Sequence, residues 1–344
     1  MSGKSRSSGG MKALKEKFIS GCLLNQYPHD VACQLWEQIV SFAGYAFCKA
    51  HSASFARVSF VVAYLKVFFP APFMASVLSN RGGFYSPLVY VEEARRMKVK
   101  ILPPDVRKAE INFIPWEKGA IITGLSFIRD LSFKTIERIL KERNVHSFED
   151  LSDFISRCSI TRIEFLLLSK CGALDWTGYN RKQLFFLADH LTAIQKKRVS
   201  SLMLIKRERL NIPTMSDFSL KQKVLFDLEL LGFSPLANPL SVIAIKEDVI
   251  GSSAMGNYIG RYITMAGVKI FSRRIPSKKK EGFMKFISFL DRYGPFETFL
   301  PLKNYNRLVS LTHASSLFYA YGKVTQEFGA YTLHLEEIEP IFLR

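Results

Sequence analysis

A chain of 344 residues can bury more than one core, so two or three domains are expected. With 48% hydrophobic and 23% charged residues the composition is that of a soluble folded protein. The net charge of +18 favours a polyanionic partner, nucleic acid ahead of an anionic membrane surface, unless the charge serves solubility alone. Five cysteines (Cys22, Cys33, Cys48, Cys158, Cys171) form no C-x-x-C pair, and no His lies at zinc-ligand spacing from a cysteine pair, so they read as buried thiols in a reducing cytoplasm. The opening "MSGKSRSSGGMKALKEKF" is basic with no apolar run behind it, so it is not a signal peptide.

Residues 1–10 are Ser, Gly, Lys and Arg and read as a flexible lead-in. Helical periodicity then dominates to about residue 80. In "PHDVACQLWEQIVSFAG", Asp30 is the candidate N-cap, Val31, Leu35, Ile39 and Phe42 lie along one side, and Gly44 marks the stop. "VSFVVAYLKVFFPAPFMASVL" imitates a membrane span, but Lys66 sits inside it and Pro70 and Pro72 interrupt it, so a buried helix ending at Phe69 is expected. A Gly loop follows, then a short amphipathic helix over Val89–Met97 and a hard break at Pro103-Pro104. Residues 111–124 alternate weakly, as a small hairpin does.

From Leu125 to Leu174 short helices return. "FKTIERILKERN" sets Ile136, Ile139 and Leu140 at i, i+3 and i+4; the next helical stretch has Ser147 as its expected cap and Gly172 as its stop. Gln195–Arg209 carries six basic residues and one acidic. "LKQKVLFDLELLG" is a further helix ending at Gly232, and Pro235 and Pro239 mark a boundary. After about residue 258 the period changes from near 3.6 to 2. Four or five short strands in the remaining residues suggest a five-stranded OB barrel. The expected fold is therefore multidomain: mainly helical over its first two thirds, then all-β, in the order helices first and strands last that argues for separate domains.

D-x-D, G-x-x-x-x-G-K-[ST], G-x-S-x-G and H-E-x-x-H are absent from the sequence. Asp150 and Asp153, three apart with Glu149 beside them, read as a solvated face. Metal-dependent phosphoryl transfer needs converging carboxylates. No such set assembles here, so the chain alone is expected to be catalytically inactive, with neither catalytic nor metal-binding residues and no cofactor of its own. In "FAGYAFCKAHSASFARVSF", Lys49, His51 and Arg57 are separated by small residues that allow close approach of a phosphate. The alternative reading is a buried helix with three polar accidents. In the β-rich segment Arg273, Arg274, Lys278, Lys279, Lys280 and Lys285 lie among Phe271, Phe286 and Phe289. Cations that track a backbone and aromatics that stack on bases are the parts of single-strand binding. The alternative is that the aromatics fill the barrel and the Lys run is a solvated loop; the Arg and Lys set is read as contacts and each Phe as core, and odd spacing puts Phe286 and Phe289 on opposite faces, so at most one faces DNA.

The stretch "FAGYAFCKAHSASFARVSFVVAYLKVFFPAPFMASVLSN" resembles the fingers segment of bacterial C-family DNA polymerases, the alpha subunit of DNA polymerase III. That family reads approximately F-A-G-Y-x-F-N-K-S-H-A-A-A-Y-A, then a helix ending L-K-x-x-Y-P-x-x-F-M-A-A-x-L. The likeness continues in order through "YVEEARRMKVKILPPDV", "FEDLSDFISRCSITRIEFLLLSKCGALD", "LELLGFSPLANPL" and the terminal barrel, essentially from Met11 onward. The "ELLGF" and barrel segments are similar to the error-prone branch. Cys48 stands where the family has Asn and Ala50 where it has Ser.

The resemblance implies a division into lead-in 1–10, the C-terminal part of the fingers 11–115, a helix-hairpin-helix region 116–200, a helical linker 201–257 and an OB domain 258–344. It implies that Lys49 and His51, with Arg57, belong to the fingers surface near incoming nucleotide and template. It places the hairpin at "LSFIRDLSFKTIERIL", with Asp130-Leu131-Ser132 at the usual Gly-h-Gly turn. There Ser132 caps the helix, Arg129 and Lys134 flank it, and Asp130 puts a negative charge where a phosphate sits. The family's palm carboxylates and their Mg2+ precede the fingers and match no residues here, so Met1 reads as an internal methionine of a longer polypeptide. The implied partners are single-stranded and primer-template DNA and a palm-containing polymerase chain. "QKVLF", Gln222 to Phe226, resembles a Q-x-x-L-F sliding-clamp peptide, although it lies in an expected helix and such peptides bind extended. A stand-alone single-strand-binding module and a non-functional remnant are the competing readings.

Overall fold

The computed structural model describes the backbone of residues 8–44, 49–81, 83–188, 213–277, 281–327 and 329–342. The chain separates into two compact units, Met1–Phe68 and Phe69–Arg344.

The first unit holds α1 (Ser8–Leu24), α2 (His29–Gly44) and α3 (Lys49–Phe68). Helices α1 and α2 meet through Phe18 and Trp36, whose ring centroids lie 5.5 Å apart. Among the described side chains of α2, Ala32 and Trp36 are therefore the buried ones, and Val31, Leu35 and Ile39 of the expected stripe are exposed, while the Phe42 side chain lies outside the described residues. Asp30 falls inside the first turn rather than at the cap. The expectation that residues 58–69 form a buried helix is corrected: α3 ends at Phe68 and exposes its apolar side chains, Phe60 at 78% and Val67 at 70%. Its apolar residues run round the helix rather than along one stripe, so no single contact covers them. No single helix among the described residues is long and apolar enough to cross a membrane.

In the second unit Pro70 opens α4 (Pro70–Ser79), where its fixed φ and missing N–H suit the first helical turn. Next come α5 (Pro87–Arg96), β1 (Lys100–Leu102), β2 (Ile114–Trp116) and β3 (Ala120–Ile122). Strands β2 and β3 pair as the expected antiparallel hairpin, and β1 adds to β3 in parallel. Then follow α6 (Phe133–Val145), α7 (Leu151–Cys158), α8 (Arg162–Lys170) and α9 (Arg181–Ala188). Their entries are written in side chains: Ser132 Oγ accepts from Thr135 N at the start of α6, and Thr161 and Glu164 form a capping box on α8. The cap of α7 is Asp150, which accepts from Asp153 N at 2.9 Å, not Ser147 as the spacing suggested. Helix α10 (Leu220–Leu231) starts on a Ser219–Gln222 capping box and stops at Gly232, φ +79°. Burial pushes the Cys158 and Cys171 thiols up to about 12, the behaviour of inert packed cysteines.

The last segment closes a barrel from β4 (Tyr262–Pro276), β5 (Phe283–Leu290), β6 (Pro295–Leu300), β7 (Leu317–Glu327) and β8 (Ala330–Ile341), ordered β4-β5-β6-β8-β7. Strands β6 and β8 pair in parallel and the other neighbours antiparallel, with α11 (Leu302–Leu308) between β6 and β7. That architecture is consistent with an OB fold. Ile287, Phe289, Phe318, Leu333 and Leu335 fill the barrel, whereas Ala266, Val268 and Leu317 join the core of the helical region. At the β7 bulge beside Tyr321, a Cβ on Gly322 would lie 2.1 Å from the His334 carbonyl oxygen, so only glycine lets the two strands approach there.

Candidate nucleic-acid interface

The pleat sorts the barrel residues by face. In β5, Ile287 and Phe289 point inward, and Phe286 stands 39% exposed on the outer side. Register then builds a row across the sheet. Arg273 of β4 is opposite Phe286, Phe286 is opposite Phe299 of β6, Phe299 is opposite His334 of β8, and His334 is opposite Lys323 of β7. The Phe286 and Phe299 rings are 5.1 Å apart between centroids, as are those of Phe299 and His334. The outcome is three contiguous rings flanked by Arg273 and Lys323, a platform on which bases can stack while cations meet the backbone. Phe299, His334 and Lys323 are absent from the sequence reading. Their signal is their odd-numbered place in alternating strands, usable only once the pairing of strands is known.

The basic residues expected in the barrel divide three ways. Arg273 and Arg274 are exposed, on alternate faces of β4, and the Arg274 guanidinium lies 4.3 Å above the Phe283 ring. Lys278 and Lys280, with Lys279, lie outside the described residues. Lys285 differs from both groups: it is 5% exposed, and its ammonium donates to Thr312 Oγ1 at 2.8 Å. Phe271 packs against Phe84, with centroids 4.7 Å apart.

The hairpin residues do come together. Arg129, Ser132 and Lys134 surround the N-terminus of α6, and Ser132 caps it. At the first of the two Gly positions Asp130 adopts φ +64°, the left-handed region that glycine favours, and at the second Ser132 is extended at φ −67°. The Arg129 N–H donates to Leu230 O at 2.9 Å and so ties the turn to α10. Beside it a cleft of about 450 Å³ is lined by Arg81, Tyr85, Tyr90, Phe127, Arg129 and Leu230, with the Arg81 guanidinium 4.4 Å above Phe127.

On α3 the expected residues are spread along the helix. A helix turns about 100° per residue, so positions 49, 51 and 57 fall on different sides. His51 and Arg57 are exposed, the His51 ring meeting Phe55 edge-on at 4.5 Å. The Lys49 side chain and Gln195–Arg209 lie outside the described residues. In "QKVLF", Gln222 closes the capping box of α10 and Val224 is fully buried.

A buried charge network holds the hairpin region to α10. Arg181 is 1% exposed; one of its terminal nitrogens donates to Lys170 O at 2.7 Å, and the other to Asp175 Oδ2 at 3.2 Å. Asp227 lies 3.6 Å from the guanidinium, and its other oxygen accepts from Ser234 Oγ at 2.6 Å. Burial raises the Asp227 carboxyl from 3.8 to about 7 against the opposing pull of Ser234 and Arg181.

Residues 98–184 match the family described as "Helix-hairpin-helix motif". The DNA polymerase III subunit alpha of Campylobacter jejuni is 31% identical over 313 residues, covering 83% of this chain and 26% of that protein. The subunit of the same name from Pseudomonas fluorescens is 28% identical over 346 residues, covering 90% and 29%. The "Error-prone DNA polymerase" of Dechloromonas aromatica is 30% identical over 237 residues, covering 68% and 23%. The chain is thus homologous over most of its length to polymerase III alpha subunits, and it spans between 23% and 29% of these curated relatives. The expected resemblance and the expected fold class both hold.

Two outcomes follow from this geometry. Asp130→Gly removes a side chain from a left-handed position and a negative charge from a helix N-terminus. Duplex affinity, read by fluorescence anisotropy, is expected to rise about threefold to tenfold, as one or two charge-assisted phosphate contacts allow. Asp227 has its folded pKa above its unfolded one, so its contribution to stability is full below about 3.8 and is lost as pH rises towards about 7. Denaturant melts across that window should show Asp227→Asn flattening the decline; an unchanged difference between variant and wild type at every pH contradicts it.

Proposed function

We infer that this chain carries the DNA-holding part of a DNA polymerase III alpha subunit, binding single-stranded template through the barrel and primer-template duplex through the hairpin. The observation that carries the reading is the outward row Arg273–Phe286–Phe299–His334–Lys323, set on a barrel within a chain homologous to these subunits. Arg273 and Arg274 act as backbone contacts, with Lys278 and Lys280 as further cations. Arg129, Ser132 and Lys134 present the α6 N-terminus to duplex phosphate.

Nucleotide addition, and the Mg2+ it uses, belongs in this reading to a palm-containing polypeptide. Lys49, His51 and Arg57 serve as fingers residues only beside that palm. The broadly exposed apolar surface of α3, Phe60, Val61, Tyr64, Val67 and Phe68 among it, suits cover by such a polypeptide better than life as a solvated helix. No clamp contact is assigned to "QKVLF", because Val224 would have to leave the core for the peptide to bind extended.

Single-strand binding should weaken steeply with salt. For Arg273→Ala the slope of log affinity against log salt is expected to fall by about 0.7, the value for one released counterion on a single strand. Phe286→Ala or Phe299→Ala should instead cost about 1–3 kcal/mol per lost stack at unchanged slope. Binding that ignores salt sinks the reading. In primer-extension assays, this chain is expected to stimulate synthesis only with a palm-containing chain present, and less so as Lys49→Ala; extension indifferent to its addition counts against a role in synthesis.

A further inference from the structure

Lys285 is inward-facing in β5, and at the same end of the barrel Lys269 leaves β4 immediately before its bulge. Both ammonium groups end on one residue. Lys269 Nζ donates to Thr312 O at 2.5 Å, and Lys285 Nζ to Thr312 Oγ1 at 2.8 Å. Thr312 Oγ1 donates in turn to Val309 O at 2.6 Å, which leaves its lone pairs to the lysine. Next along the turn Leu311–His313, His313 Nε2 lies 3.2 Å from Lys285 Nζ. An imidazole beside an ammonium accepts from it, so the His313 proton sits on Nδ1 as a donor on an exposed residue.

Three nitrogen groups thus converge on one turn, and no carboxylate among the described residues enters the cluster. Among the described residues neither lysine forms an ion pair with Asp or Glu. Burial lowers both lysine pKa values, Lys269 lowers that of Lys285 further, and Lys285 lowers that of His313. The Phe318 ring, 5.5 Å from Lys269 Nζ, offsets only part of the charge. Like charges held side by side in a half-buried setting are costly unless an anion joins them. Each ammonium has three donors, and the bonds to Thr312 and His313 engage one of Lys269 and two of Lys285. A strand-internal phosphodiester brings one negative charge, whereas a phosphomonoester brings about −1.5 to −2 at neutral pH, with three acceptor oxygens. Two ammonium groups match the second, with His313 Nε2 accepting from Lys285 and holding it in place.

We propose that Lys269 and Lys285, the latter held by His313 Nε2, form a binding site for a phosphomonoester, filled by the terminal phosphate of a nucleic-acid strand. Lys285 then serves as an arm of this pocket and not as one of the cations tracking the backbone on the outer face. Only the source of the phosphate rests on the DNA-binding reading; the site itself does not.

The full chain is titrated by fluorescence anisotropy with one single-stranded sequence ending in 5′-phosphate, in 3′-phosphate, or in hydroxyls at both ends. A terminal phosphate at one of the two ends is expected to tighten binding about fivefold, the scale of charge-assisted contacts to a dianion. Lys269→Met, remote from the stacking row, should erase that difference and leave the hydroxyl-ended strand bound as in the wild type. Because Lys285→Met removes a buried side chain and can unfold the barrel, a second readout uses the wild type: its melting temperature in inorganic phosphate against chloride of equal ionic strength. Stabilisation by phosphate that Lys269→Met abolishes, with strand ends bound alike, upholds the site and makes its ligand a free phosphate. Neither effect in the wild type, or both effects intact in Lys269→Met, overturns the proposal. Loss of hydroxyl-ended strand binding in the wild type would instead strike the DNA-binding reading and leave the melting test standing.

Discussion

A guanidinium that is 1% exposed has to be answered on every side by groups of the chain, and Arg181 is such a group. It sits at the first position of α9 and takes the carbonyl of Lys170 at the end of α8, the carboxylate of Asp175 beyond it, and the neighbourhood of Asp227 on α10. Those partners come from segments up to 57 positions apart, from Lys170 to Asp227, so one side chain sets the packing of the hairpin helices on α10. Gly172 belongs to the same constraint. At φ +82° it turns the chain out of α8, and a Cβ there would lie 2.2 Å from the Arg181 guanidinium. Through the Arg129–Leu230 bond the hairpin turn inherits its position from this network.

The barrel solves a different problem, keeping a sealed interior while offering chemistry outside. Its interior is aliphatic and aromatic, with Phe289 stacked on Phe296 at 5.5 Å. One step along the pleat, the outer face of the same strands carries Phe286 and Phe299, whose ring faces remain available. Part of the outer surface is consumed, since Ala266, Val268 and Leu317 pack into the helical core. What stays open is the side bearing the aromatic row and its flanking cations. The lysine pair at Thr312 joins inward-facing Lys285, 5% exposed, to an exposed neighbour, His313, so that burial and water meet there.

The hairpin shows how a motif survives the loss of its usual residues. Its turn needs a left-handed residue and a helix entry with accessible N–H groups. Asp130 supplies the first, because a short polar side chain tolerates φ +64° better than most, and Ser132 fixes the helix entry by accepting from the Thr135 N–H. The charge that Asp130 adds at the N-terminus of α6 is a separate matter from the left-handed shape it adopts.

Much of this molecule was legible in the chain itself. The switch from period 3.6 to period 2, the stops at Gly172 and Gly232, the small hairpin at residues 111–124 and the cap at Ser132 are all local features, decided by residues within a few positions of one another. The split of Phe286 from Phe289 was legible for the same reason, because alternation belongs to a single strand. Burial was not. Helix α3 is as apolar as a core helix yet exposed, and α2 buries Ala32 and Trp36 in place of its longer stripe, because which face is covered depends on what lies opposite. Nor could the sequence place Phe299 and His334 beside Phe286, or turn Lys285 away from solvent towards Thr312. Those outcomes are set by register between strands distant in the chain, and only tertiary structure fixes register, because each strand's own pattern fits more than one partner.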